Sequence, residues 1–344
     1  MNADQVREAL KQVKYPGYSR DIVSFGIVKD IRVEGGRCAV SMELTSSDPK
    51  ASDEIRRASE AVLRALPGIQ QVEVAMGMKA AATVTPRRPG LENIRRSLAV
   101  ASGKGGVGKS TVAVNLALTL AKLGGKTGLL DCDIYGPSIP LMMRAHEAPE
   151  MQDGKIVPVE SHGIKLMSIG FLMDPDAPVI WRGPLIAQAI QQFLFEVAWG
   201  PLDWLVIDLP PGTGDAQLSL CQALPLTGAV MVTTPQEVAL LDVRKASAMF
   251  KKVNVPILGV VENMSFFLCP SDGKRYEIFG SGGGEREARR LGVPLLAQVP
   301  IEMAVREGGD QGSPIVVASP DSASAKAFLA AAQMLEKQLP ATAP

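Results

Sequence analysis

The sequence predicts an α/β protein in two parts: a doubly wound, mainly parallel sheet, preceded by a small α/β domain. Three observations predict it. From Leu98 to about Leu339, apolar strand-like runs alternate with helix-periodic stretches. Ahead of them, residues 1–77 carry their own helix–strand–strand–helix–strand pattern, and the Pro-rich, basic residues 78–97 lie between the two parts. Within the larger part, 98–339, the run Ala99-Val-Ala-Ser-Gly-Lys-Gly-Gly-Val-Gly-Lys-Ser-Thr111 joins a buried strand to a helix through a glycine-rich turn and a Lys-Ser pair. The last residues, 340–344, form a tail.

Composition bounds the function classes. With 344 residues, 46% hydrophobic and 21% charged, the chain is long enough for two domains and a large core. Lys+Arg and Asp+Glu balance at 36 each, which argues against bulk nucleic-acid binding. No apolar run approaches the about 18 residues of a membrane span, and the stretch from Met1 to Glu8 holds no signal-peptide apolar region. The expectation is a cytoplasmic protein with reduced thiols and neither a nucleic acid nor a membrane as partner. Cys38, Cys132, Cys221 and Cys269 are scattered without a C-x-x-C pair, and only His146 and His162 are present. Both facts argue against a disulfide framework and against a zinc site built from one chain.

In the first domain, Val6, Ala9, Leu10 and Val13 share one helical face, and Tyr15-Pro16-Gly17 ends that helix. Ile27–Val33 and Arg37–Leu44 alternate apolar and polar around Glu34-Gly35-Gly36, a hairpin. An amphipathic helix, Ser52–Leu66, and a strand, Gln71–Ala75, complete it. Cys38 falls within a strand and belongs to the core.

The run 99–111 is a phosphate-binding P-loop. Gly103, Gly105, Gly106 and Gly108 let the backbone, with Val107 among them, bring its N–H groups up to phosphate oxygens. An apolar-periodic helix follows from Val112 to about Lys122, and its N-terminus adds partial positive charge at the same point. Lys109 reaches the β/γ-phosphates, and the Ser110 hydroxyl binds Mg²⁺. The next strand, Lys126–Leu130, leads into Asp131, Cys132 and Asp133, at the strand end where such sheets bind ligands. Asp131 and Asp133 both sit where a carboxylate can act near the γ-phosphate, Asp131 more as a structural strand-end residue, and Cys132 between them points to the core. Trp204–Asp208 is an apolar strand ending in Asp; Asp208 holds the Mg²⁺ shell. Pro210-Pro211-Gly212 follows as a stiff turn, and Asp215 opens the next helix. Ala229–Pro235 and Val255–Met264 are further buried strands, with a helix over Gln236–Lys252 between them.

Lys104 is the unusual residue of the loop. Gly-Lys-Gly-Gly-Val-Gly-Lys-Ser resembles the deviant Walker A loop of the ParA/MinD/nitrogenase-iron-protein class. That resemblance implies an ATPase, a homodimer closed around its nucleotide, with Lys104 reaching the nucleotide held by the partner. It implies that Asp133 lies in switch I and positions Mg²⁺ or the attacking water, and that Pro210-Pro211-Gly212 is switch II. It gives adenine recognition to Asn263 and packing on the adenine ring to the segment Gln298-Val-Pro300. Lys104, Asp133 and Asp208 are the implied catalytic set. No side chain is a strong general base, so turnover is expected to be slow.

Further stretches narrow the resemblance. Ile180-Trp-Arg-Gly-Pro-Leu-Ile186, Glu262-Asn-Met-Ser, Cys269 and Ile278-Phe-Gly-Ser-Gly-Gly-Gly284 resemble the Mrp cluster-carrier family, from about residue 94 to the end. The first domain resembles the small domain that precedes the ATPase in that family, although Tyr15-Pro16-Gly17 replaces its acidic turn and Thr45–Pro49 its cysteine; it is expected to dock partners or regulate. In that family a Cys-x-x-Cys loop from each of two subunits holds a [4Fe–4S] cluster. Here the second position is Asp272, so a symmetric dimer offers two Cys269 thiolates where a cluster uses four, and carboxylate ligation by Asp272 is the less soft substitute. The implied function is ATP-dependent iron–sulfur cluster carriage to apo iron–sulfur proteins or assembly factors, with Cys269 as the cluster ligand. Two alternatives stand beside it: a MinD/ParA-type switch or scaffold without a cluster, and nucleotide-coupled electron transfer as in the nitrogenase iron protein. Membrane-binding switches use a basic amphipathic C-terminal helix; Ser322–Leu339 has only Lys326 and Lys337 and is expected to pack on the domain.

Overall fold

The structure is a computed structural model that describes residues 3–14, 21–23, 27–34, 36–44, 49–78, 93–134, 136–172 and 192–339. The turn at Tyr15-Pro16-Gly17, the stretch Thr45–Asp48, the expected linker from residue 79 to 92, the Ile180–Ile186 motif and the 340–344 tail lie outside those residues. The chain divides into two compact units, Met1–Pro86 and Arg87–Pro344.

In the first unit the period-two alternation of β1 (Val28–Glu34) and β2 (Arg37–Leu44) gives an antiparallel pair, with Val33 opposite Cys38. Helix α2 (Pro49–Arg64) crosses over to β3 (Gln71–Met78), which pairs parallel with β2. Helix α1 (Ala3–Leu10) turns Val6 and Leu10 onto the sheet, where they bury with Cys38, Val40, Met42 and Leu63.

The second unit is an eight-stranded sheet. Its order is β15 (Leu295–Gln298), β12 (Ile257–Glu262), β11 (Gly228–Thr233), β4 (Ser97–Ser102), β10 (Trp204–Asp208), β5 (Thr127–Asp131), β9 (Ile164–Ser168), β8 (Val159–Ser161). Every neighbouring pair is parallel except β8 with β9. The central strands are apolar on both faces, as sheets covered by helices on each side must be. Leu98 and Val100 of β4 bury with Val206 on one face, and Ala99 and Ala101 with Leu205 and Ile207 on the other.

Helix α3 (Lys109–Lys122) and the C-terminal helix α10 (Ala323–Gln338) cover the first face, and Phe328 and Leu335 of α10 are fully buried there. Ser322 caps α10, its Oγ accepting from the Ala325 N–H at 3.1 Å. The helix therefore packs on its own domain. Helices α5 (Asp215–Ala223), α6 (Glu237–Lys252) and α7 (Gly283–Leu291) supply residues to the second face, among them Cys221, Val243 and Ala288. Short elements fill the remaining connections: α4 (Ile139–Met142), the hairpins β6 (Met151–Gln152) with β7 (Lys155–Ile156) and β13 (Phe267–Leu268) with β14 (Arg275–Tyr276), and the helices α8 (Met303–Gln311) and α9 (Ile315–Ala318). No helix among the described residues is long and apolar enough to cross a membrane.

Candidate functional site

The glycine-rich loop lies at the carboxyl end of β4, between β10 and β11, and feeds directly into α3. Two glycines are dictated by space. A Cβ on Gly103 would sit 2.1 Å from the Asp242 carbonyl carbon of α6, and one on Gly108 would sit 2.1 Å from Asn263 Nδ2, at a φ of 80°. The loop's free N–H groups and the start of α3 form a cradle for an anion.

Under the loop four side chains meet. Lys109 is 5% exposed; its Nζ donates to Asp208 Oδ1 at 2.7 Å and pairs with Asp133 Oδ2 at 3.2 Å. Ser110 Oγ donates to Asp208 Oδ2 at 2.6 Å. Burial pulls the Lys109 ammonium down, but the carboxylates of Asp208 and Asp133 outweigh it and hold Lys109 above the usual lysine range. Asp131 is fully buried; it accepts from Ser168 Oγ at 2.8 Å and from the Asp133 N–H at 3.0 Å, so it fixes the strand end rather than facing the loop as a free carboxylate. Burial, and then the nearby Asp208 carboxylate, push its acid up to about 7.

This donor set fits Mg²⁺. Ser110 Oγ and the Asp208 carboxylate are hard oxygen donors lying together beside the phosphate cradle, and Asp133 Oδ1 is buried without a hydrogen-bond partner. Gly212, the glycine after the two prolines, donates its N–H to the Ser102 carbonyl at 3.0 Å, which ties that turn to the loop's own strand.

Beside the loop opens a cavity of about 660 Å³. Thr111, Asn263, Pro300 and Glu302 line one part of it, and Ile278 and Phe279 another. Asn263 is 6% exposed, and its Nδ2 donates to the Val107 carbonyl at 2.9 Å. Its amide thus braces the loop as well as lining the cavity. Val107 turns its side chain into the core, so only its backbone serves the loop. Lys104 is partly exposed, and its carbonyl accepts from Ser102 Oγ at 2.9 Å.

Cys269 stands at the tip of the β13–β14 hairpin, apart from the buried Cys38, Cys132 and Cys221. Its Sγ lies 3.0 Å from Ser271 Oγ. That contact, then the backbone N–H groups of Ser271 and Asp272, hold the thiol below the usual cysteine range. Asp272 is exposed but bonded within its own turn: Oδ1 accepts from the Lys274 N–H at 2.9 Å and Oδ2 from the Tyr276 hydroxyl at 3.0 Å. Among the described residues, no group of three or more His, Cys, Asp or Glu is arranged to hold a metal ion.

Residues 93–336 match the model of the ParA-type family described as NUBPL iron-transfer P-loop NTPases, and residues 3–76 match that of iron–sulfur cluster assembly proteins. The chain belongs to the NUBPL-type P-loop NTPases. A relative from Synechocystis, an iron–sulfur cluster carrier protein, is 46% identical over 342 residues, covering 97% of both chains. An Arabidopsis thaliana relative, an iron–sulfur protein required for mitochondrial NADH dehydrogenase, is 52% identical over 72% of this chain and 80% of its own. Among solved structures, a nucleotide-binding protein from Archaeoglobus fulgidus, in complex with ADP, superposes with a TM-score of 0.59 at 43% identity, over 65% of this chain and 89% of that one. The cell-division ATPase MinD of Pyrococcus furiosus gives 0.55 at 25% identity, over 71% and 99%.

In this P-loop NTPase, then, the expected Lys109, Ser110, Asp133 and Asp208 converge at one point, and Thr111, Asn263 and Pro300 share the adjoining cavity. One residue escaped the sequence reading. Glu262 is fully buried; its Oε1 accepts from Ser265 Oγ at 2.6 Å and Gln298 Nε2 at 2.9 Å, and its Oε2 accepts from the Gly284 N–H. It binds the strand before Asn263 to the segment before Pro300 and to the start of α7. The only signal was its place in Glu-Asn-Met-Ser, which identifies a family without disclosing those partners.

Proposed function

We propose that this chain is an ATP-hydrolysing iron–sulfur cluster carrier that acts in the cytoplasm as a homodimer and delivers clusters to apo iron–sulfur proteins or assembly factors. The observation that carries the reading is the convergence of Lys109, Ser110, Asp133 and Asp208 beneath the glycine-rich loop. The relatives that bear the carrier name support the cargo.

Gly103–Thr111 takes the phosphates of ATP. Lys109 exchanges its two carboxylate partners for phosphate oxygens. Ser110 and Asp208 hold Mg²⁺, which when bound withdraws charge from the β- and γ-phosphates. Asp133, with one oxygen unsatisfied, orients the attacking water. Asn263 and Pro300 receive the adenine, and Lys104 crosses to the partner's phosphates. Among the described residues no strong general base faces the site, so hydrolysis is slow and serves as a timer for conformational change. Cys269, kept toward the thiolate, is the cargo ligand, and neither nucleic acid nor membrane is a partner. The small N-terminal unit docks partners or regulates.

One observation favours a second reading. Each chain offers one thiol outside the core, and Asp272 is bonded within its own turn, which fits a MinD/ParA-type switch without a cluster. The nucleotide site is tested by calorimetric titration of Mg-ATP into the protein and into Lys109→Ala, with circular dichroism as the check of fold. The variant is expected to lose binding. Unchanged affinity in a folded variant sinks the site assignment.

A further inference from the structure

We propose that Ile278 and Phe279 form the outer wall of the base subsite, and that through them the purine base, rather than the γ-phosphate, controls the Cys269 hairpin. This rests on the nucleotide reading above and adds a physical link from one site to the other.

The hairpin is attached to the cavity at both ends. At its root, the Ile301 N–H donates to the Phe266 carbonyl at 2.7 Å, and the Ser265 N–H to the Val299 carbonyl at 2.9 Å. Phe267 and Ile301 form an isolated parallel bridge. Pro300 and Ile301, the residues beside those bonds, line the cavity. On the return side, the chain leaves β14 at Tyr276 and within three residues places Ile278 and Phe279 in the cavity's lining. Tyr276 itself holds Asp272, three residues from Cys269, through its hydroxyl at 3.0 Å. The Arg275 guanidinium stacks on the Phe266 ring at 3.9 Å and cross-braces the two arms.

The lining calls for a base. Ile278 is 57% exposed and Phe279 37%, large apolar side chains that a planar ring would cover. Glu302, in the same lining, has a buried carboxylate oxygen without a hydrogen-bond partner. An exocyclic amine, as on adenine, supplies the missing donor. A base held between these groups touches both the root and the return arm of the hairpin. It restrains the turn and keeps Cys269 on Ser271.

The protein provides its own reporter, because Cys38, Cys132 and Cys221 are 0%, 0% and 3% exposed and leave Cys269 as the accessible thiol. The experiment measures iodoacetamide labelling of the cluster-free, full-length protein alone, with saturating ADP and with tripolyphosphate. It repeats this on an I278S/F279S variant, and ADP binding is followed separately by calorimetry. ADP is expected to slow labelling about fivefold, the low end of ordinary coupling between sites, and tripolyphosphate to leave it unchanged. In the variant, bound ADP is expected to give no protection. A labelling rate that does not fall with ADP bound overturns the proposal, as does full protection by tripolyphosphate or in the variant. If calorimetry shows no ADP binding to the unmodified protein, the nucleotide reading fails and the proposal with it.

Discussion

Lys109 pairs directly with the Asp208 and Asp133 carboxylates and feels that of Asp131 at longer range, so it is their counter-ion. Phosphate must compete with Asp208 and Asp133 for the same ammonium. The residues of this cluster were legible because the P-loop spacing and the strand-end aspartates each imply a position on a parallel sheet. Glu262 was not, since beyond the local Ser265 its partners come from segments near residues 284 and 298 that only the fold brings together. Cys269 yields a prediction at the same scale. Its thiol is held low first by the Ser271 hydroxyl, which favours the thiolate. Ser271→Ala is expected to raise the Cys269 pKa, so that near neutral pH labelling slows while above the shifted pKa the two proteins react alike. A pH–rate profile of iodoacetamide labelling checks this; superimposable profiles contradict it.

Among the elements, α3 begins at Lys109, three residues before the apolar periodicity at Val112 announces it, because its polar first turn belongs to the phosphate cradle. The hairpin β1–β2 was plain from alternation, whereas β6 and β7, at two residues each, are too short to carry any period. The last parallel strand β9 and the antiparallel edge strand β8 likewise follow a stretch without a distinctive pattern. The loop and α6 are fitted to each other at Gly103. Gly103→Ala would drive a methyl into the α6 backbone at Asp242, so the loop or the helix must shift. An overpacking cost of about 1–3 kcal/mol is expected, read as a lower Tm together with weaker ATP binding. A Tm and an affinity both unchanged contradict the close approach.

The whole molecule explains why a nucleotide and a cysteine hairpin share one chain. The loop after β4 and the hairpin after β12 both leave the carboxyl ends of parallel strands, which is where such sheets gather ligands. The alternation of strands and helices made that architecture legible from the sequence. Which neighbours the edge strands take was not, because pairing order depends on contacts far apart in the chain. The proposed homodimer belongs to this scale too. If Lys104 acts on the partner's nucleotide, Lys104→Ala is expected to bind ATP normally while losing about 10³-fold in hydrolysis, by analogy with charge-stabilising residues supplied in trans. Full turnover in that variant contradicts the shared site.

As a carrier, the protein would join its nucleotide site to a cluster held by Cys269. Anaerobic reconstitution of the full-length protein and of Cys269→Ala with iron and sulfide, followed by visible absorption, tests it most directly. A thiolate-to-iron charge-transfer band is expected in the unmodified protein and is expected to be absent from the variant. No band in the unmodified protein, or an equal band in both, would contradict it.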